Sequence, residues 1–145
     1  MNTPALRPWW PATPASAAEL ALSLRETSAA QQLFELCAVA VAAQEWTIFT
    51  GAMAALCDVG ARSIRNMVET AKFDSSWGIL YGQTGMPADL YPLFMEILKS
   101  ARRFTLAEGQ TASRVQRLAV LQQALASPDL RGLNLPPDLK AALLS

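Results

Sequence analysis

Histidine is missing from all 145 residues, which removes both the commonest general base and the commonest transition-metal ligand. Charge is scarce as well: Asp, Glu, Lys and Arg make up 17% of the chain, where about a quarter is ordinary. The 12 basic and 12 acidic residues cancel, so no electrostatic footprint points to nucleic acid. Lys99, Arg102 and Arg103 form a small basic cluster that reads as a solvated helix face. Only two cysteines occur, Cys37 and Cys57. On one straight helix they would stand about 30 Å apart, too far for a disulfide, so they read as buried thiols in a reducing compartment.

Long apolar runs are also lacking. The most apolar stretch, LCAVAVAAQEWTIFTGAMAALCDVG, is interrupted by Gln44, Glu45 and Asp58. Its pieces fall short of the ~20 residues a membrane span requires, so no integral membrane insertion is expected. The N-terminal MNTPALRPWWPATPAS carries four prolines where a signal peptide would have its apolar core. A cytoplasmic location is the simplest expectation.

Without histidine, neither cysteine has a base to activate it. Asp58 and Arg62 form an i,i+4 pair that supports a helix and little else. GILYGQTG lacks the Lys-Ser/Thr ending and the preceding strand of a phosphate loop. The sequence therefore points to a protein that is not an enzyme, with no catalytic, cofactor-binding or metal-binding residues, and with function in its surfaces.

Apolar residues supply 52% of the chain, enough for one domain with a sizeable core. A chain so apolar is expected to self-associate as a homo-oligomer or to cover another apolar body. Pro4, Pro8, Pro11 and Pro14 define an extended arm over residues 1–16. A helical domain follows over 17–127, and a leucine-rich strap with a short C-terminal helix over 128–145. The first helix is expected from Ala17 to about Thr27, with Ser16 as its cap and Glu19 closing a capping box.

Positions stepping alternately by three and four from Leu36 through Val39, Ala43, Trp46, Thr50, Met53, Cys57, Gly60, Ile64, Met67 and Ala71 carry no charge. This 3.5-residue period predicts one helix over Ser28–Lys72, nearly 70 Å long at ~1.5 Å per residue. A second seam runs through Leu90, Phe94, Ile97, Ala101 and Phe104, weakens at Glu108, and resumes at Val115, Leu118, Gln122 and Leu125. It predicts a second long helix over Pro87–Ala126, bent or broken near Gly109. The intervening FDSSWGILYGQTGMPADLYPLF reads as a bend with one helical turn over Trp77–Gln83, capped by Asp74, Ser75 or Ser76. The expected fold is all-α: a long antiparallel helical hairpin or bundle with coiled-coil-like seams.

The candidate contact surface is that seam, namely Leu36, Val39, Trp46, Met53, Ile64, Met67, Leu90, Phe94, Ile97 and Phe104. Trp9 and Trp10, within RPWWP, project to different sides of an extended arm. They are candidate anchors because Trp pairs an apolar body with a polar N–H. Met53, Met67, Met86 and Met95 read as core filler.

The Gln32–Gln123 region, through ARSIRNMVETAKFDSSWGILYGQTG and LYPLFMEILKSARRFTLAEGQTASRV, resembles the phasins, bacterial proteins that coat polyhydroxyalkanoate storage granules. The likeness rests on the Arg62–Lys72 helix end, Gln83-Thr84 and Ser100-Ala101-Arg102. It implies a non-enzymatic amphipathic coat whose seam faces either a partner helix or the hydrophobic polymer surface, at the granule in the cytoplasm. Two other classes stay open. One is a helical oligomerisation or adaptor module that binds a protein partner through its seam and Trp arm. The other is a bundle holding an apolar small molecule in a cavity lined by Trp46, Met53 and Phe94.

Overall fold

The computed structural model describes residues 6–70, 75–103 and 112–145. Lys72, Asp74, Phe104 and Gly109, on which sequence expectations fall, lie outside the described residues. Among the described residues the chain is all-α, with no strand. Its eight helices are α1 (Pro14–Glu26), α2 (Ala30–Ala42), α3 (Trp46–Cys57), α4 (Ala61–Glu69), α5 (Ser75–Thr84), α6 (Tyr91–Arg102), α7 (Arg114–Leu125) and α8 (Pro137–Leu143). Single 3₁₀ turns at Ala88–Leu90 and Pro128–Leu130 precede α6 and follow α7.

Helix α1 starts one turn earlier than Ser16 suggests. Thr13 is the cap: its hydroxyl accepts from the Ser16 amide at 3.0 Å, and the Thr13 amide donates to Ser16 Oγ at 2.9 Å. Pro14 occupies the first helical position, where its fixed φ is pre-organised and its missing N–H costs nothing. The preceding residues are not extended: the Trp10 amide closes a turn onto the Arg7 carbonyl at 3.1 Å.

The single helix predicted over Ser28–Lys72 is three helices. At the end of α2, Gln44 adopts φ +58°, its amide bonds the Val41 carbonyl, and the Glu45 amide reaches back to Ala40 at 2.9 Å. This is the Schellman pattern that ordinarily uses glycine. The Gln44 side-chain amide, buried, donates to the Ala101 carbonyl at the end of α6. Asp58, at φ +53°, ends α3 in the same left-handed region. With this break, Asp58 and Arg62 belong to different helices and form no i,i+4 pair on one of them. Folding back is favoured because the second half of α2 is apolar on every side: each residue from Leu36 to Ala42 is fully buried. A helix apolar all round must be surrounded, and α2 touches α1, α3, α6, α7 and α8. A two-helix hairpin would leave half of it in water, at about 1.5–3 kcal/mol for each large side chain left exposed.

The predicted bend is also more than a connection. Its helix α5 carries Trp77, which is fully buried and packs against Phe94 and Phe49 at centroid distances of 6.1 and 6.4 Å. The chain then turns at Gly85, φ +84°, where the Thr84 hydroxyl accepts from the Met86 amide.

Helices α1 and α3 make the most extensive helix–helix contact. They approach closely because a side chain is missing: a Cβ on Gly51 would stand 2.7 Å from the Pro14 carbonyl oxygen.

Candidate association surface

Seven seam residues, Leu36, Val39, Met53, Ile64, Leu90, Phe94 and Ile97, are buried in one cluster, and Trp46 and Met67 are half-buried at its edge. The seven buried ones meet one another inside the bundle and not solvent. Trp46 packs edge-on to Phe49 at 6.0 Å, with the Arg65 guanidinium 5.5 Å above its ring. Met53 and Phe94 are packed without exposure, and neither of the two described surface depressions is lined by Trp46, Met53 or Phe94.

The N-terminal segment is fastened to the bundle by polar contacts. Arg7 Nε donates to Glu35 Oε2 on α2 at 2.6 Å, and its Nη2 donates to the Ala142 carbonyl on α8. Trp10 Nε1 donates to Glu45 Oε2 at 2.6 Å. The turn between Arg7 and Trp10 brings the Trp9 and Trp10 rings side by side, with centroids 5.9 Å apart, both half-buried on the core. This differs from the opposite projection expected of an extended arm. Nearby, Arg117 is buried and its side chain donates to the Ser145 carbonyl at 3.3 Å. Burial lowers its pKa first, then Arg7 and Arg114, with Glu45 opposing.

The two thiols illustrate how dry the centre is. Burial pushes Cys37 up to about 12, with neighbouring Cys57 adding to the shift. Burial pushes Cys57 up to about 11, against the lowering field of Arg25. The turn at Gln44 makes neighbours of thiols that a single straight helix would hold far apart. Cys57 Sγ donates to the Leu80 carbonyl at 3.3 Å. Both are protonated at neutral pH, which makes them poor nucleophiles. Among the described residues no group of three or more Cys, Asp or Glu side chains could hold a metal ion, and no helix is long and apolar enough to cross a membrane.

Helix α7 differs from the sequence expectation in a way that exposes a surface. A fresh capping box starts it: the Ser113 amide donates to Gln116 Oε1 at 2.8 Å, and the Gln116 amide donates to Ser113 Oγ at 3.2 Å. Its core face is Arg117, Val120, Leu121 and Ala124. Half of the predicted seam points away: Val115 is 78% exposed and Gln122 is exposed, whereas Leu118 is half-buried and Leu125 packs in part on the core. Leu125 continues into an open groove of about 380 Å³ lined by Leu130, Leu133, Asn134, Leu135 and Lys140. Sequence spacing placed this stripe inside. The Ser113–Gln116 capping box is the signal that a new helix, free to take a new rotation, begins there.

A second depression, about 360 Å³, lies on α4 between Arg62, Ser63, Arg65, Asn66 and Glu69, where Arg65 Nε pairs with Glu69 Oε1 at 2.9 Å. Comparison with protein-family models, with curated proteins and with solved structures finds no match to this chain.

Proposed function

We propose that this is a non-enzymatic, phasin-like helical protein that associates with the surface of polyhydroxyalkanoate granules in the cytoplasm. The observation that carries this reading is the pairing of a central helix that is apolar on every side from Leu36 to Ala42 with a polar fastening at Glu35, next to that stretch. Among the described residues, helices α2 and α3 are the most apolar, and Arg7–Glu35 and Trp10–Glu45 tie a short segment to α2 and to the turn between the two. Burial at ~25 cal/mol per Å² favours the closed bundle and a polymer surface for the same physical reason. The two therefore compete, and loosening the fastening shifts the balance toward the polymer. The resemblance over Gln32–Gln123 supports the same choice of surface.

The test is co-sedimentation of the purified chain with polyhydroxyalkanoate particles, with phospholipid vesicles as control. Saturable adsorption to the polymer and weak adsorption to vesicles are expected. No adsorption to the polymer overturns the reading.

A second reading, a helical adaptor for one protein partner, is favoured by the paired Trp9 and Trp10 rings, which the fastening holds half-exposed side by side. Trp9→Ala separates the two. It removes a single docking anchor and abolishes an adaptor's binding, whereas a coat adsorbing through a broad apolar surface tolerates it.

A further inference from the structure

Residues 6–12 are held to the bundle by their side chains. Among the described residues no backbone hydrogen bond ties them to a helix: the Trp10 amide closes onto Arg7 within the segment, and the next bond, from the Ala17 amide to the Thr13 carbonyl, already belongs to the start of α1. Beside the half-buried rings, the fasteners are Arg7, on Glu35 and the Ala142 carbonyl, and Trp10, on Glu45.

Glu45 has a second claimant. The Ala112 amide donates to the Ala43 carbonyl at 2.8 Å, which sets the start of α7 against the turn that carries Glu45. Arg117, on the core face of α7, brings a buried guanidinium to this region. That guanidinium is poorly matched. Its Nε is buried without an acceptor. Its Nη2 reaches the Ser145 carbonyl at 3.3 Å, longer than the roughly 2.7–2.9 Å of a charge-assisted bond. Among the described residues no carboxylate forms an ion pair with it. Of its charged neighbours, Arg7 and Arg114 oppose its charge, and Glu45 is the one that favours it. A buried cation without a paired anion is costly. The closed segment aggravates this twice: it adds the charge of Arg7, and it holds the Glu45 carboxylate on Trp10.

From this we infer that residues 6–12 form a releasable latch in which Glu45 exchanges partners. Closed, its carboxylate accepts from Trp10 Nε1; open, it turns to the Arg117 guanidinium, and Arg7 leaves Arg117 in the same movement. Release then replaces one charge-assisted bond with another, instead of leaving a half-buried carboxylate and a buried guanidinium alone. The capping box of Thr13 and Ser16 lies beyond the segment, so α1 keeps its start. Opening frees the Trp9 and Trp10 rings and uncovers the side of α2 at Glu35. The inference names how the fastening in the granule reading is undone, and rests on that reading for its use, but its test contains no polymer.

Hydrogen exchange of the full chain, read by mass spectrometry over residues 6–12, tests it, with α2 as the control for folding. The segment is expected to exchange through an opening that leaves α2 protected. Arg117→Met removes the partner of the open state and should slow exchange of the segment about tenfold. Trp10→Phe should change it by less than about threefold in the parent, since Glu45 passes to Arg117, but should speed it at least about tenfold in an Arg117→Met chain. Exchange that Arg117→Met leaves unchanged or speeds overturns the latch, as do additive effects of the two substitutions. An Arg117→Met chain that loses protection in α2 as well passes the decision to the structure of the Trp10→Phe chain. There the Glu45 carboxylate is expected about 2.8 Å from the Arg117 guanidinium, and a carboxylate turned to solvent overturns the proposal. None of these outcomes depends on adsorption, so a failed latch and a failed granule reading are told apart.

Discussion

Helices α6 and α7 share one predicted seam and bury it to different extents. On α6, Leu90 in the preceding turn and Phe94, Ile97 and Ala101 in the helix are buried. On α7, Val115 and Gln122 are exposed, and Leu118 and Leu125 are covered only in part. The spacing of apolar residues is the same in both, so spacing alone identifies a helix and a stripe but not the side that faces the core. Helix α7 carries apolar residues on two sides, and the core takes the one with Val120, Leu121 and Ala124, together with the buried Arg117.

The largest way to sharpen this contrast is Phe94→Ala. Phe94 sits among Phe49, Trp77 and Tyr81 at centroid distances of 5.1–6.2 Å, and its truncation is expected to cost about 3–5 kcal/mol. Chemical denaturation measures this, and a loss below about 1 kcal/mol would put α6 on the same footing as the outer face of α7. An intermediate effect comes from pH. Cys37 and Cys57 hold their protons more tightly folded than unfolded, since burial raises both from 9.0. The folded state then binds more protons above pH 9, and stability falls as pH rises from about 9 toward 11, by about 1 kcal/mol for each thiol at pH 10. Tyr81, also raised by burial, adds to the fall above pH 10. Unfolding midpoints at pH 8 and pH 10 should diverge, and Cys37→Ala should bring them closer. A slope unchanged by that substitution would mean that the centre of α2 is wetter than its packing indicates. The smallest expected effect is Val115→Ala, within about 0.5 kcal/mol for the monomer. A loss comparable to that of Phe94→Ala would show that Val115 is covered within its own chain.

Much of the molecule was legible in the residues. Ala, Leu, Glu and Gln composition predicts helices, and the seam from Leu36 to Ile97 names residues that meet in the core. The breaks were hidden because non-glycine residues make them. Gly51 lies inside α3 at a close crossing and Gly60 follows only as the residue that opens α4, whereas the turns that end α2 and α3 are made by Gln44 and Asp58. Left-handed conformations at such residues are held by their surroundings, here by the Gln44 side chain on the Ala101 carbonyl. Trp77 was hidden for a similar reason: flanking Gly and Pro signal a turn, and burial of the indole outweighs them. The outer face of α7 was visible as a stripe and not as a surface, because its rotation depends on packing across the whole bundle.

The Arg7 contact with the Ala142 carbonyl joins residues 135 positions apart. During synthesis Arg7 waits for 135 further residues before that partner exists, and closing so long a loop is slow compared with local helix formation. Until then the apolar flank of α2 lacks both its N-terminal fastening and α8. A newly made chain therefore passes through a window in which the side of α2 that α8 and Arg7 cover is still open to solvent, while α1, α3, α6 and α7 can already pack on the rest.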